Sequence, residues 1–374
     1  MSARALVVSG ESVLYRNPRP ELVARHAWHP SLCRLGATTW VSTFDIGQGP
    51  ESHDYVTYVS RSHDDGATWS EPVPLLAAQD RPRATHSIRV AQLRDGRLLG
   101  VGARFIRSDP EQGLINHPGL GYTDMELVST VSQDGGQSWT PARVIEPPVN
   151  APAFETCHAV VELTDGRLLL PTSTWLGWNG EGPLGMRALC LISHDGGQTW
   201  PDFAEEFDQW DRAIVSWEQS VVQLGDGRLV AVTWSLDTGT SQTLPTLYAV
   251  AGSDVVFGAP APTGLLAQTM KLASLGGQRF LAVYRRHDGP GLWASVARLE
   301  AEVWVTESTD CLWRGAASGM VGDTDVGSEL SALRFGYPSI VVEDEGRAAA
   351  VAFWCQVDAV NEIRLLRIDL GSTS

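Results

Sequence analysis

This chain has no pair of cysteines two residues apart, no His-Glu-x-x-His pattern and no apolar run long enough to cross a membrane. A dithiol redox motif, a helical zinc site and a membrane span are therefore not indicated. Its five cysteines (Cys33, Cys157, Cys190, Cys311 and Cys355) are odd in number, which favours free buried thiols in a reducing compartment over a disulfide framework. Cations are scarce as well: 28 Lys and Arg stand against 44 Asp and Glu, a formal net charge of −16. A nucleic-acid backbone needs clustered Lys and Arg, so that partner class is excluded and the charge reads as a solvated acidic surface. Linkers, low-complexity tracts and long charge runs are missing too, so residues 1–374 read as a single domain. Met1-Ser2-Ala3-Arg4 leads into a strand and not into a signal-peptide apolar core, which points to a cytoplasmic protein.

What the chain does have is repetition. Ser62-His63-Asp64-Asp65-Gly66-Ala67-Thr68-Trp69 recurs as Ser132-Gln133-Asp134-Gly135-Gly136-Gln137-Ser138-Trp139 and as Ser193-His194-Asp195-Gly196-Gly197-Gln198-Thr199-Trp200. Each reads Ser-x-Asp-x-Gly-x-(Thr/Ser)-Trp. The Asp can accept hydrogen bonds from a tight turn, Gly supplies positive φ, and Trp anchors the next strand. A second repeat runs in register: Leu93-Arg94-Asp95-Gly96-Arg97, Leu163-Thr164-Asp165-Gly166-Arg167 and Leu224-Gly225-Asp226-Gly227-Arg228. Asp-Gly between apolar runs signals a hairpin, with a type I′ turn expected. Weaker copies at Ala37, Gly277 and Glu345 raise the hairpins to six, at intervals of 58, 70, 61, 51 and 68 residues. Each unit reads as four antiparallel strands, and six such units arranged radially make an all-β, six-bladed β-propeller. Ala5-Leu6-Val7-Val8 has no nearby hairpin partner and is expected to close the ring beside Ile363-Arg364-Leu365-Leu366.

Inner strands line the central channel, and a ligand would sit at its mouth. Eight residues before each hairpin anchor stand His29, Ser87, Cys157, Glu218, Thr269 and Tyr337, a polar set for the starts of apolar strands. His29, His86 and His158 lie at or beside the leads of blades one to three, where three imidazoles could converge on a metal for hydrolase or lyase chemistry. Their offsets from the anchors differ, so alternating side chains would face different ways, and a single histidine bonding to a sugar is the simpler reading. Long loops at Phe105–Gly119 and Trp175–Gly182 carry residues that would shape the pocket, Trp175 and Trp178 among them. Glu155 is a further carboxylate near the mouth.

The triple motif resembles the Asp box, and with six units the chain is similar to the sialidase superfamily of glycoside hydrolases over nearly its whole length. Glu218-Gln219-Ser220-Val221-Val222-Gln223-Leu224-Gly225-Asp226-Gly227 resembles the family segment that carries its catalytic glutamate. Tyr337-Pro338-Ser339-Ile340-Val341 is similar to the segment of the nucleophilic tyrosine. The resemblance implies a phenol nucleophile assisted by a carboxylate, with no cofactor. It places the general acid in the blade-one loop, where Asp45, Glu51 and Asp54 are the candidates. It also implies an arginine clamp for the sugar carboxylate, and here the chain departs: Trp28 and Trp234 occupy two clamp positions, and Gly291-Leu292-Trp293-Ala294-Ser295 supplies nothing for the third. Arg104, Arg187, Arg285 and Arg286 could reach the mouth from elsewhere. The expected substrate is thus a terminal sugar other than a standard sialic acid, bound by Trp28, His29, His86, Arg104, His158, Trp175, Trp178, Trp234 and Arg285. A carbohydrate-binding propeller without catalysis, and the metal-dependent lyase or hydrolase, remain as alternatives.

Overall fold

A computed structural model describes residues 6–78, 83–116, 119–315, 319–320, 329 and 332–371. His117 and Pro118 of the long blade-two loop, and the N-terminal Met1 to Ala5, lie outside the described residues. Six antiparallel sheets follow one another along the chain, each with its inner strand first. The inner strands are His26–Arg34, Ala84–Gln92, the interrupted pair Ala153–Glu155 and Val161–Glu162, Ile214–Gln223, Ala267–Gly276 and Phe335–Glu343. The strand Val7–Tyr15 pairs with Val360–Asp369, so the first strand of the chain is the outermost strand of blade six. Among the described residues no helix is long and apolar enough to cross a membrane.

Alternation along each strand sends apolar side chains to both faces of a blade, and each face packs on a neighbour. The core is accordingly divided into layers between consecutive blades. Leu93, Leu99 and Val101 meet Leu168, Leu170 and Leu189 between blades two and three. Leu281, Val283 and Val296 meet Val351, Phe353 and Leu366 between blades five and six. The closing layer, between blades six and one, joins Leu14, Ala350, Ile363 and Leu365 of blade six to Phe44 and Trp40 of blade one.

The repeated motifs close turns on the outer strands. Asp64 accepts bonds from Ser62 Oγ at 2.8 Å, Thr68 N at 2.9 Å and Thr68 Oγ1 at 2.5 Å, while Ser62 Oγ accepts from Gly66 N at 2.8 Å. Ser132, Asp134 and Ser138 repeat the set, as do Ser193, Asp195 and Thr199. Those bonds hold the Asp64 and Asp195 carboxyls down at about 2. The Asp-Gly hairpins differ from the expected type I′ form. Gly96 N bonds to Leu93 O at 2.9 Å, Leu93 N to Arg97 O at 2.8 Å, and only the glycine, at φ 89°, is left-handed. This is a three-residue loop ending in a glycine bulge. It leaves the Asp95 side chain free to accept from Arg97 N at 3.0 Å and Arg97 Nε at 2.7 Å. Arg167 and Arg228 are held by Asp165 and Asp226 in the same way, which accounts for the Asp-Gly-Arg triplet.

If the N-terminal strand closes the ring, its buried positions carry stability and its exposed ones do not. Leu14→Ala is expected to lower the unfolding free energy by about 2–5 kcal/mol in urea titrations. Val7→Ala, on the same strand but 52% exposed, should stay within about 0.5 kcal/mol. Equal effects would mean that the strand is not integral to the last blade.

Candidate active site

Four inner strands carry the same irregularity at the same place. In blade one Trp28 pairs with Asp45 and Ser31 with Thr43, so His29 and Pro30 together face Phe44. Glu218 and Gln219 likewise face Thr233, Thr269 and Met270 face Tyr284, and Tyr337 and Pro338 face Phe353. The first residue of each bulge is left-handed: His29 at φ 50°, Glu218 at 46°, Thr269 at 52° and Tyr337 at 53°. Such a conformation costs a non-glycine residue about 1–3 kcal/mol and persists only where the surroundings enforce it. A bulge re-aims a side chain that strict alternation would send into the layer between blades. Blades four, five, six and one are consecutive around the ring, and His29, Glu218 and Tyr337 all line one cavity of about 510 Å³. Trp28, Phe105, Tyr122, Phe154, Trp217 and Trp354 contribute aromatic surface to its lining.

Beneath the cavity lies a buried carboxylate. Asp45 accepts bonds from Tyr55 Oη at 2.9 Å, Thr57 Oγ1 at 2.6 Å, Ser87 Oγ at 2.7 Å and Arg89 Nη2 at 3.0 Å. Burial pushes its carboxyl up, but Arg89, His29 and Thr57 more than offset this and hold it well below the usual carboxylate range. The His29 imidazole shares a 2.6 Å bond with Tyr55 Oη. Since the Tyr55 hydrogen is given to Asp45, Nδ1 carries the hydrogen of that bond. Burial lowers the His29 pKa, with Asp45 opposing, so the ring is neutral at pH 7.

Arg89 also donates through Nε to the Tyr337 hydroxyl at 3.1 Å. The Tyr337 ring lies 4.7 Å from the His29 ring and under two cations, with Arg89 Cζ 4.9 Å and Lys271 Nζ 5.1 Å from its centroid. Burial nevertheless raises the phenol well above 10, so it is neutral at rest. Lys271 is the only lysine of the chain. It is buried, 3.2 Å from Cys157 Sγ and 3.4 Å from Gln219 O. Arg89 and Tyr337 line both this cavity and a second one of about 350 Å³, which Cys157, His158 and Lys271 also line. They form the partition between the two. Glu218 accepts a short bond from the Thr269 hydroxyl and stands 4.0 Å from Arg285 Nη2. No hydrogen bond joins Glu218 to Tyr337 among the described residues.

The remaining expected residues divide sharply. Trp28, Glu51 and Arg285 line the cavity. The Glu51 carboxylate is occupied by Leu114 N at 2.7 Å and Ile115 N at 3.3 Å, which fixes the blade-two loop. Asp54 lies outside the cavity lining, accepting from Gln48 N and Ser52 Oγ in a turn. Trp175 and Trp234 are core residues packed on either side of Trp217, at 5.2 and 4.6 Å between centroids. They support the wall without forming its surface. Trp178 is outside the lining and offers its carbonyl to Asn116. Arg104 pairs with Glu126 on the adjacent strand of blade two. The histidines do not converge: His86 is buried and takes a bond from Thr57 N, and His158 bonds to Ala159 O and Ser220 Oγ in the second cavity. Among the described residues no group of three or more His, Cys, Asp or Glu is placed to hold a metal ion. Arg89, Tyr55 and Trp217 were missed by counting from the hairpins. Arg89 could have been found as the residue two beyond Ser87, on the same face of its strand.

No family model matches the chain, and no curated protein sequence matches it. Among solved structures it is similar to a protein of unknown function from Dyadobacter fermentans DSM 18053, at 20% identity and TM-score 0.75 over 99% of this chain and 100% of that one. It is similar to NanB sialidase from Streptococcus pneumoniae at 14% identity and TM-score 0.62, covering 98% of this chain and 70% of that one. A sialidase from Trypanosoma rangeli matches at 15% identity and TM-score 0.63, over 96% of this chain and 59% of that one. At such identities the likeness shows a sialidase-like fold alone.

The buried ion pair makes two measurable demands. Arg89→Met strands the Asp45 charge and should cost about 3–5 kcal/mol in denaturant unfolding at pH 7. Arg104→Met, which breaks a half-exposed pair, should cost less than about 1 kcal/mol. Because the folded pKa of Asp45 is depressed, its contribution is complete above the unfolded value of about 3.9 and is lost on further acidification. Asp45→Asn should therefore flatten the acid limb of the stability curve; an unchanged limb would show that Asp45 is not a held anion.

Proposed function

We propose that this protein is an exo-acting glycoside hydrolase that releases a terminal sugar other than a standard sialic acid, with Tyr337 as nucleophile and Glu218 as its base. The observation that carries this reading is the shared bulge, which spends backbone strain in adjoining blades to bring Glu218, Tyr337 and His29 to one aromatic-lined cavity. Strain retained at a pocket is the ordinary mark of a working site. A neutral phenol attacks only as its proton is drawn off, and Glu218 is a carboxylate of the same cavity able to take it. Arg89 and Lys271 beside the ring favour the negative charge that develops on the phenol oxygen. Burial of Asp45 beneath Arg89 leaves that residue as the anchor of the arginine and not as a proton donor.

The substrate class follows from how the arginines are used. Arg89 is bound to Asp45 and Tyr337, and Arg285 to Phe335 O and the Thr269 hydroxyl. Arg334 lines the cavity from the stretch before blade six. None stands in the clamp positions, one of which is the cavity-lining Trp28. An aromatic surface with few uncommitted cations suits the face of a weakly charged sugar. One observation favours a second reading: the Tyr337 hydroxyl accepts from Arg89 and donates to Thr156 O, and among the described residues it bonds to no carboxylate. A propeller that binds sugar without cleaving it would look the same.

A panel of aryl glycosides spanning neutral sugars, uronates and sialosides separates these readings. Turnover of a neutral or uronate substrate is expected, with Tyr337→Phe and Glu218→Gln each losing at least about 10²-fold in kcat. The double variant should lose little more than the worse single one, since the pair acts as a unit. Saturable binding without turnover would establish the second reading. Sialoside hydrolysis at tens per second, on the order of an ordinary enzyme, would overturn the substrate assignment.

A further inference from the structure

Among the described residues three carboxyl groups line the cavity, and their partners sort them. Glu51 is held by two backbone N–H groups, and Glu218 by the Thr269 hydroxyl with Arg285 beside it. Glu155, the last residue of the strand Ala153–Glu155, is buried; it receives a long 3.3 Å bond from Glu218 N and a bond from the Cys157 thiol, neither of which carries a charge. Among the described residues no Lys, Arg or His stands within ion-pair distance of it. The groups that face it are Cys157 from its own segment, Tyr122 from the blade-two loop, Glu218 from blade four, Lys271 from blade five and Tyr337 from blade six. Lys271 is the one cation among them, and it acts from beyond ion-pair reach.

On the hydrolase reading above, we propose that Glu155 is the proton donor of this cavity. A buried carboxyl with no cation in ion-pair reach, beside a second carboxyl group, holds its proton to higher pH than a solvated one and can give it to a leaving group. Burial and then Glu218 push its pKa up to about 7. The donor of this chain thereby sits in blade three, and not in the blade-one loop that the resemblance implies. In the step it serves, the Tyr337 oxygen bonds to the anomeric carbon as its proton passes to Glu218. The glycosidic C–O bond breaks with its electron pair leaving on the aglycone oxygen, and the Glu155 proton goes to that oxygen. Glu155 is left as a carboxylate, able to take a proton from the water that completes hydrolysis.

The test compares leaving groups. For an alkyl or methoxyphenyl glycoside, which needs protonation, Glu155→Gln should lower kcat/KM by about 10²–10⁴-fold. For the dinitrophenyl glycoside, which leaves unaided, the loss should stay below about tenfold. The parent's alkaline limb, near pH 7 for the poor leaving group, should vanish in the variant. Glu206→Gln is the control, since Glu206 is also buried and pushed up to about 8 but bonds to Cys190 away from the cavity. A readout free of substrate comes from linkage. The raised pKa means that the parent loses stability through this group as pH rises from about 4 to 7. The thermal midpoint of Glu155→Gln should therefore gain on the parent between pH 5 and pH 8. Equal losses for both leaving groups, or a midpoint difference that ignores pH, would overturn the donor role alone. A parent inert on every glycoside would sink the hydrolase reading and the donor role together.

Discussion

The Arg89 guanidinium is the interaction on which the rest of the site depends. It reaches from the inner strand of blade two to Asp45 of blade one and to the hydroxyl of Tyr337 in blade six. Two inner strands and the second strand of blade one are thus tied together by one planar group, whose fork of donors suits such bridging better than an ammonium would. The pair is buried on both sides, so its desolvation cost is high and is offset only because Tyr55, Thr57 and Ser87 also donate to the carboxylate. Loss of any one donor weakens the hold on the others, and Arg89 and Tyr337 are the very residues that separate the two cavities.

Around this bridge the ring works as a frame for strained backbone. A layered core between every pair of blades supplies the stability, and the four bulges draw on it. The left-handed leads at His29, Glu218, Thr269 and Tyr337 would be costly in an isolated hairpin. In the ring they are enforced by the strands on either side, which remain paired above and below each bulge. The outcome is a cavity in which one carboxyl group is hydrogen-bonded, one is buried with no cation in ion-pair reach among the described residues, and one phenol ring lies against two cations. Charge is placed by partners and burial, not by proximity alone.

Much of the architecture was legible before any coordinates. The Ser-x-Asp-x-Gly-x-(Thr/Ser)-Trp turns and the Asp-Gly hairpins are local, since the bonds that close them join residues within five positions of each other. Counting back eight residues from the hairpins reached all four bulged residues because blades repeat their geometry. The same count could not distinguish Asp45, Glu51 and Asp54, which are three acids of one loop region in the sequence and three different environments in space. Nor could it see that Trp175 and Trp234 lie behind Trp217, or that His86 and His158 face away from His29.

The chain by itself determined the number of blades, the closure of the ring by its first strand and the bulged residues of four inner strands, because those depend on turns and alternation that short segments encode. Only the tertiary structure decided which acid is paired, which is left without a cation and which aromatic rings meet the cavity. Those properties arise where side chains from blades distant in sequence converge, and desolvation and charge pairing depend on that convergence, not on the order of residues along the chain.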